Sequence, residues 1–440
     1  MFRVQRSKNN PLISPEKAHL WEEISTCNGC PIKEGRKTYC FYRAIGDPDK
    51  MGTAKDLTTS IIARATSTDG ENYFDKTKFI SPENEWEKYG CEDPRITKFE
   101  NKFYIFYTAL SSYPLTADGI KVAVAVCDSL HSVSKKYPVT PFNAKAMALF
   151  PERINGKVVA ILTANTDKPP GEIAIRLCDS VEDLWNEEKW KDWYKNLNNW
   201  RIPLRRDDGE HIEVGAPPIK TKYGWLLIYS HIKNYFSADK VFGIEAVLLD
   251  LDDPRVVIGR TTHPLMVPEE IYEMYGYIPN IIFPTGALLN NNDLDIYYGA
   301  SDTTTCKATL RLSDLINSIL PKTRMSHIER IVDNPILIPN TDHEWESRSV
   351  FNPAAIDIDG TVSILYRAMS FDGTSVIGYA ESKNGEVVTF RDTRPIYIPR
   401  AEFELKKGNP TGNSGCEDPR ITLLDDIIYM CYTAYDGVKA

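Results

Sequence analysis

Two adjacent carboxylates, a proline and an arginine stand together at Glu92-Asp93-Pro94-Arg95, inside the box Gly-Cys-Glu-Asp-Pro-Arg-Ile-Thr at 90–97. The same eight residues return at 415–422. Pro94 disfavours the helical region for Asp93 and predicts an extended backbone there. Neighbouring side chains on extended backbone point to opposite sides, so one carboxylate can face a cavity while the other pairs with Arg95. A carboxyl group facing a cavity can protonate a leaving oxygen, as cleavage of a glycosidic bond requires. A turn pinned by an Asp–Arg ion pair accounts for the spacing of the box at least as simply.

A second group is Asn28 with Arg43. An amide and a guanidinium on neighbouring strands can frame hydroxyls or an anion, or simply bond one strand to the next. This pair also returns, as Asn352 and Arg367, each 324 residues further on. So do Asn10-Pro11 (Asn334-Pro335), His19, Trp21 and Glu22 (His343, Trp345, Glu346), and Tyr42-Arg43-Ala44 (Tyr366-Arg367-Ala368). The box and Tyr107-Thr108-Ala109 repeat at 325. Ordered recurrence at a fixed distance marks a repeated structural module. Residues 1–325 are expected to form one complete module and 326–440 the N-terminal part of a second. The chain is then either a piece of a longer tandem protein or one whose second module has lost most of its length.

Around these residues, short runs of aromatic, β-branched and small residues separated by turn signals predict strands. They cover 103–109, 122–127, 157–163, 224–228, 242–249 and 294–298. The main helical stretch is 180–196, with Ser180 expected as its cap. Many short strands and little helix predict an all-β fold, a sandwich, barrel or propeller. A module near 325 residues is long for a sandwich and suits a five-bladed β-propeller with elaborate loops, followed by a partial second propeller. With 42% hydrophobic residues in 440, the chain can bury a large core, and 11% aromatic residues suit strands. The net charge of −9 argues against nucleic acid as the main partner. No apolar run reaches transmembrane length, and the first ten residues lack the apolar stretch of a signal peptide. Nine scattered cysteines predict reduced thiols in the cytoplasm, and Cys27 and Cys30 lack partners for a zinc site, so no metal is expected.

The ordered motifs carry a resemblance. Tyr42-Arg43-Ala44, Glu92-Asp93-Pro94-Arg95, the Phe150-Pro151-Glu152-Arg153 segment, Gly215-Ala216-Pro217-Pro218, Gly224-Trp225-Leu226-Leu227, Asp250-Leu251-Asp252-Asp253-Pro254, Phe283-Pro284-Thr285-Gly286 and Tyr298-Gly299-Ala300-Ser301-Asp302 together resemble glycoside hydrolase family 130. These are the β-mannoside phosphorylases and β-mannosidases, five-bladed propellers. The resemblance implies inverting cleavage of β-linked manno-oligosaccharides, with Asp93 as the acid acting through a sugar hydroxyl. It implies Asn28, Arg43 and Asp302 as holders of the mannosyl residue, and Lys220 as a basic residue near phosphate. No organic cofactor is implied; inorganic phosphate is the co-substrate of a phosphorylase.

Departures from the family pattern bear on the nucleophile. Where family phosphorylases place a phosphate-gripping arginine, this chain reads Leu162-Thr163-Ala164-Asn165. The usual Tyr-His-Gly is Tyr229-Ser230-His231. Phosphate favours bidentate arginine contacts. Carboxylates at Glu213 and Glu245 could instead deprotonate water, so hydrolysis is the first expectation, with Glu213 or Glu245 as base. Pairing of Glu213 with Arg205, Arg206 or Lys220 is the bland alternative. Phosphorolysis releasing mannose 1-phosphate is the second expectation, and a non-catalytic glycan-binding propeller the third.

Overall fold

The computed structural model of the chain describes residues 4–47, 59–320, 331, 334–424 and 427–440. It divides into two compact units, Met1–Arg324 and Met325–Ala440. Both are built almost wholly of antiparallel strands.

The first unit opens with a short strand, β1 (Gln5–Arg6). Its first sheet contains β2 (Ser25–Glu34), β3 (Lys37–Ile45), β4 (Ser60–Ser67) and β5 (Phe74–Ile80). The second contains β6 (Gly90–Phe99), β7 (Lys102–Leu110), β8 (Ile120–Cys127) and β9 (Lys135–Pro138). One parallel bridge, Ser60 to Gly90, links these two sheets. The third sheet is β10 (Ala144–Leu149), β11 (Val158–Ala164) and β12 (Glu172–Cys178). In the fourth, β13 (His211–Val214) and β14 (Ile219–Thr221) both pair with β15 (Gly224–Lys233), followed by β16 (Val241–Leu249) and β17 (Val257–Arg260). The fifth is β18 (Ile282–Asn290), β19 (Asp293–Ala300) and β20 (Thr304–Arg311), with β1 on its outer edge.

All six expected strands are present, each running one or more residues beyond its sequence bounds. The helical stretch is shorter: a 3-10 turn at Val181–Trp185 precedes α1 (Glu187–Lys195). Asn186, not Ser180, caps that helix by accepting from the Lys189 amide. The asparagine oxygen meets one of the donors left open at the helix start.

Apolar layers lie between consecutive sheets. Phe106 and Val124 of the second meet Leu149 and Leu162 of the third. Ile161 and Ile175 of the third meet Leu227 and Tyr229 of the fourth, and Ile228 and Leu248 of the fourth meet Ile296 and Tyr298 of the fifth. The fifth returns to the first through Tyr297 against Tyr42, Ala63 and Leu12. Apolar packing thus passes from each group of strands to the next and from the last back to the first.

A polar clamp recurs among these sheets. Tyr42, Tyr107, Tyr229 and Tyr298, each on the second long strand of its sheet, donate their hydroxyls to Glu22 (2.6 Å), Glu87 (2.5 Å), Glu245 (2.8 Å) and Glu273 (2.8 Å). Each glutamate is fully buried, and each has a basic partner: Lys76, Lys136, Arg206 and Arg6 respectively. A buried carboxylate is tolerated only when paired and hydrogen-bonded. The third sheet has Leu162 at this place and uses apolar packing instead.

The second unit repeats the beginning of this plan. Its strands are β21 (Ser349–Ile358), β22 (Thr361–Met369), β23 (Thr374–Ser382), β24 (Val388–Arg391), β25 (Ser414–Leu424) and β26 (Ile427–Tyr435). β23 and β25 join in parallel, as β4 and β6 do. Two tyrosine–glutamate clamps recur there, Tyr366 to Glu346 and Tyr432 to Glu404.

Candidate active site

The first strands of the sheets share a device. β2, β6, β10 and β18 each carry one extra residue against the neighbouring strand, between Cys27 and Cys30, Glu92 and Arg95, Lys145 and Ala148, and Pro284 and Gly286. Such bulges re-aim a side chain. At three of them the residue has positive φ: Asn28 (57°), Asp93 (52°) and Ala146 (50°). Asn and Asp are the non-glycine residues that tolerate this region best.

Asp93 is therefore left-handed rather than extended, which overturns the inference from Pro94. The bulge also undoes the opposite-facing expectation for the two carboxylates: both approach Arg43. Arg43 Nη2 lies 2.6 Å from Glu92 Oε1, and Nη1 lies 3.9 Å from Asp93 Oδ1. Arg43 Nε donates to Ser60 Oγ at 3.1 Å, and Ser60 Oγ donates to Glu92 at 2.9 Å. Asn28 Nδ2 donates to Asp93 Oδ1 at 2.7 Å. Arg95 does not pair with a box carboxylate; it donates to the carbonyls of Asp93, Gly215 and Val214, tying the second sheet to the fourth.

Asp302, also at positive φ (47°), sits in the turn between β19 and β20. Its carbonyl accepts from Ser25 Oγ at 2.6 Å, which fastens the turn to the start of β2. Gly299 precedes that turn, and Asn28 lies across it: a Cβ at 299 would be only 3.1 Å from Asn28 Cγ and N. Asn28 Oδ1 is buried without a hydrogen-bond partner, an acceptor left open beside the acid.

Electrostatics separates the two aspartates. Burial pushes Asp93 up, but Arg43 and Arg95, with the Asn28 amide and Lys145, outweigh it and hold the carboxyl below its ordinary range. Burial pushes Asp302 up to about 6; Arg43 opposes this, while the charges of Asp93 and Glu92 add to it.

On the other side lie residues from the third and fourth sheets. Lys145, one residue before its bulge, pairs with Asp167 at 3.1 Å. Burial disfavours its charge, but Asp167, Glu213 and Glu92 together raise its proton affinity. Glu213 is hydrogen-bonded to His211 Nε2 at 3.2 Å, not to Arg205, Arg206 or Lys220. The Gly171 amide donates to His211 Nδ1 at 3.3 Å, which places the ring proton on Nε2 and directs it at Glu213. Tyr235 stacks on His211 at 4.2 Å. Asn165 accepts from Tyr194 at 2.6 Å.

Two expected site residues stand elsewhere. Glu245 is the fourth sheet's clamp: fully buried, held by both Arg206 nitrogens and by Tyr229, it has no access to water for use as a base. Lys220 stands opposite Trp225 on β15, five residues from Ser230, which faces Glu213; that is roughly 17 Å at about 3.3 Å per residue, and Lys220 pairs with Glu152 over the Trp225 ring. Ser60, Lys145, Asp167 and His211 were missed by sequence reasoning, and Glu92 was expected at most to pair with Arg95, not with Arg43. Glu92 lay inside the box, and Lys145 could have been found only by aligning the bulges.

Among the described residues, Glu16, His19 and Glu22 have ligand atoms within 4.8 Å of one another. The Lys76 ammonium already lies 2.5 Å from Glu16 and 3.7 Å from Glu22. No helix of the described residues is long and apolar enough to cross a membrane.

The sequence matches the profile of the glycoside hydrolase 130 family, described as β-1,4-mannooligosaccharide phosphorylase, over residues 43–320 and again over 325–440. The chain belongs to glycoside hydrolase family 130. It is an enzyme of family-130 type. A β-1,2-mannobiose phosphorylase of Thermoanaerobacter sp. (strain X514) is 35% identical over 311 residues, covering 69% of this chain and 95% of that protein. A 1,2-β-oligomannan phosphorylase from the same organism is 32% identical, covering 72% of this chain and 99% of the relative. Among solved family-130 structures, the Listeria innocua β-1,2-mannobiose phosphorylase bound to β-1,2-mannobiose superposes with a TM-score of 0.58 at 23% identity, covering 72% of this chain and 99% of that one. Asn28, Arg43, Asp93 and Asp302, the residues that the sequence resemblance singled out, lie in one cluster of the first unit.

Proposed function

We propose that the first unit is a five-bladed β-propeller that cleaves β-linked manno-oligosaccharides with inversion by phosphorolysis, releasing mannose 1-phosphate. The observation that carries the reading is the Asn28–Asp93–Arg43 cluster, in a chain that matches two curated β-mannoside phosphorylases over nearly their whole length. The second unit is a partial repeat of the same module. All nine cysteines are free thiols, which suits a reducing, cytoplasmic setting.

Asn28, Arg43 and Asp302 grip the mannosyl hydroxyls. Asp93 delivers a proton toward the leaving oxygen, through a sugar hydroxyl, as the C1–O bond breaks. A phosphate oxygen attacks C1 from the opposite face, so the new bond has inverted configuration. Lys145 is the cation assigned to phosphate. Free Asp93 is ionised, and substrate must reverse this. A sugar bound over the cluster excludes water, and a phosphate dianion across the sugar ring adds negative charge; both raise Asp93's proton affinity.

A second reading, hydrolysis, is favoured by Glu213. Its carboxylate is 15% exposed, is oriented by a protonated His211 nitrogen and lies where Lys145 feels its charge, a suitable placement for a base acting on water.

The deciding experiment incubates the protein with β-1,2- and β-1,4-mannobiose, with and without phosphate, and quantifies mannose and mannose 1-phosphate. Phosphorolysis expects mannose 1-phosphate only with phosphate present. Mannose released at equal rates in both buffers overturns it in favour of hydrolysis. Asp93→Asn should lower either activity by about 10²–10⁴-fold; an unchanged rate removes Asp93 from the acid role.

A further inference from the structure

Lys145 meets two carboxylates with a single charge. Its ammonium donates to Asp167 Oδ1 at 3.1 Å. Burial works against that charge, while Asp167 first, and Glu213 after it, hold the proton on. His211 adds no positive charge, because its Nδ1 accepts from the Gly171 amide and its proton sits on Nε2, toward Glu213. Two carboxylates for one ammonium leave this part of the site net negative before any anion arrives.

The position of Asp167 is built into the fold. It lies in the turn after β11, where Asn165 at φ 60° reverses the chain. Asn143, buried just ahead of β10, grips it at two points. Asn143 Oδ1 accepts from the Asp167 amide at 2.8 Å, and Asn143 Nδ2 donates to Asp167 Oδ2 at 3.0 Å. The same Nδ2 lies 3.0 Å from the Ala117 carbonyl oxygen and 3.2 Å from that of Ile120. The Asn143 carbonyl accepts from the Asn165 amide at 2.9 Å, and Lys168, next in the turn, pairs with Asp118 at 2.7 Å. One carboxylate oxygen of Asp167 is thus held by Asn143, and the other is aimed at Lys145.

Stability does not require this arrangement. The Lys145 and Asp167 side chains are 24% and 27% exposed, and so open an ion pair contributes little. Its effect falls on the anion that comes to Lys145. Near neutral pH a phosphate group carries close to two negative charges. An anion and Asp167 sharing one ammonium, each about 3 Å from it, stand at most about 6 Å apart. A unit charge about 6 Å from a dianion changes its affinity about tenfold even at the dielectric constant of water. Water, being uncharged, escapes this repulsion.

We propose that Asp167 is a specificity-determining residue: held by Asn143 at the Lys145 ammonium, its carboxylate competes with phosphate and keeps phosphate affinity low, to the relative advantage of water. The role rests on Lys145 being the phosphate cation of the proposed reaction. Asn143 acts through Asp167 and is a positioning residue.

The test is Asp167→Asn in the full chain. The new side-chain oxygen can keep the bond from Asn143, while the amide group, a donor, turns toward Lys145 and releases the ammonium. Initial rates of mannose 1-phosphate formation are measured against phosphate at a saturating level of whichever mannobiose is cleaved, and against that mannobiose at saturating phosphate. The KM for phosphate should fall about tenfold, while the KM for mannobiose stays within about twofold. Asp167→Ser, smaller and also uncharged, should shift the phosphate KM the same way. Asp167→Glu, which keeps the charge, should leave it at or above the wild-type value. Damage to a merely structural residue would not improve phosphate binding. A phosphate KM that is unchanged or higher in the uncharged variants overturns the proposal and leaves phosphorolysis standing. An equal fall in Asp167→Glu also overturns it, since the effect would then follow shape rather than charge. If wild type and Asp167→Asn both release only mannose at rates independent of phosphate, phosphorolysis fails and the role of Asp167 fails with it.

Discussion

Gly299→Ala places one methyl group where the acid is aligned. The new Cβ would sit 3.1 Å from Asn28 Cγ and N and well inside contact distance of Oδ1, whereas carbon atoms pack favourably at about 3.5–4.0 Å. β19 cannot retreat, because Tyr298 beside it is clamped to Glu273, so the Asn28 amide must swing away. That breaks its 2.7 Å bond to Asp93. A hydrogen bond to a charged group contributes about 1.5–3 kcal/mol; expressed in the transition state, this is about 10- to 150-fold in kcat. Displacing a catalytic group by about 1 Å gives a similar factor, about 10². Overpacking should also lower stability by about 1–3 kcal/mol. The assay is kcat on mannobiose at a temperature where denaturant titration shows the variant folded. Asn28→Ala should lose a comparable factor, and the double variant should lose no more than the larger single effect, since both break one contact. Full activity in folded Gly299→Ala would refute the argument that Asn28 aligns Asp93, and so would strictly additive losses.

Glu245→Gln separates fold from chemistry. It leaves the Arg206 charge without its buried counterion, so stability should fall by about 3 kcal/mol, the low end for such pairs because Arg206 retains some exposure. The kcat of the folded protein should stay within about threefold of wild type; a hundredfold loss at unchanged stability would restore Glu245 to the mechanism. Asp302 gives a pH signature. Its carboxyl is pushed up from 3.8 to about 6 in the folded chain, so the folded state binds this proton more tightly. The resulting stabilisation is present in full below about pH 4 and is lost as pH rises toward 6. Relative to Asp302→Asn, wild type should lose stability across that window in denaturant titrations; a difference that stays flat or rises with pH contradicts the assigned environment.

The all-β architecture was legible because its strands are short runs of aromatic, β-branched and small residues and its turns are marked by Asn, Asp and Gly. The box was legible because it occurs twice. Its geometry was not: the Pro94 rule predicts an extended Asp93, but the inserted residue between Glu92 and Arg95 imposes φ 52° and swings both carboxylates toward Arg43. Local rules fail where register with a neighbouring strand overrides them. Glu245 was misassigned for a related reason. Sequence places a carboxylate beside a departure from the family pattern, but only packing shows that it belongs to a buried Tyr–Glu–Arg clamp repeated from sheet to sheet. Lys220 fits a short motif, yet strand rise carries it to the far end of its edge. Lys145 carries no local signal at all, since its position is defined only by a bulge shared with β2 and β6.

The site is drawn from two groups of sheets. Asn28, Arg43, Glu92, Asp93 and Asp302 come from the fifth, first and second sheets, while Lys145, Asp167, His211 and Glu213 come from the third and fourth. Under the proposed reading, the first set grips the sugar and supplies the proton, and the second receives the nucleophile. The two sets share no direct hydrogen bond among the described residues; Arg95, reaching from the second sheet to the Val214 and Gly215 carbonyls, fixes their separation through the backbone. The nucleophile side can therefore exchange an arginine for Asn165, or present Glu213, without disturbing the acid. The second unit repeats the elements of the first and second sheets, and with them Asn352, Arg367, Glu417 and Asp418 among its described residues. A single substitution in the third or fourth sheet should accordingly alter the choice between phosphate and water without weakening the hold on mannose, whereas one at Arg43 should weaken both reactions alike.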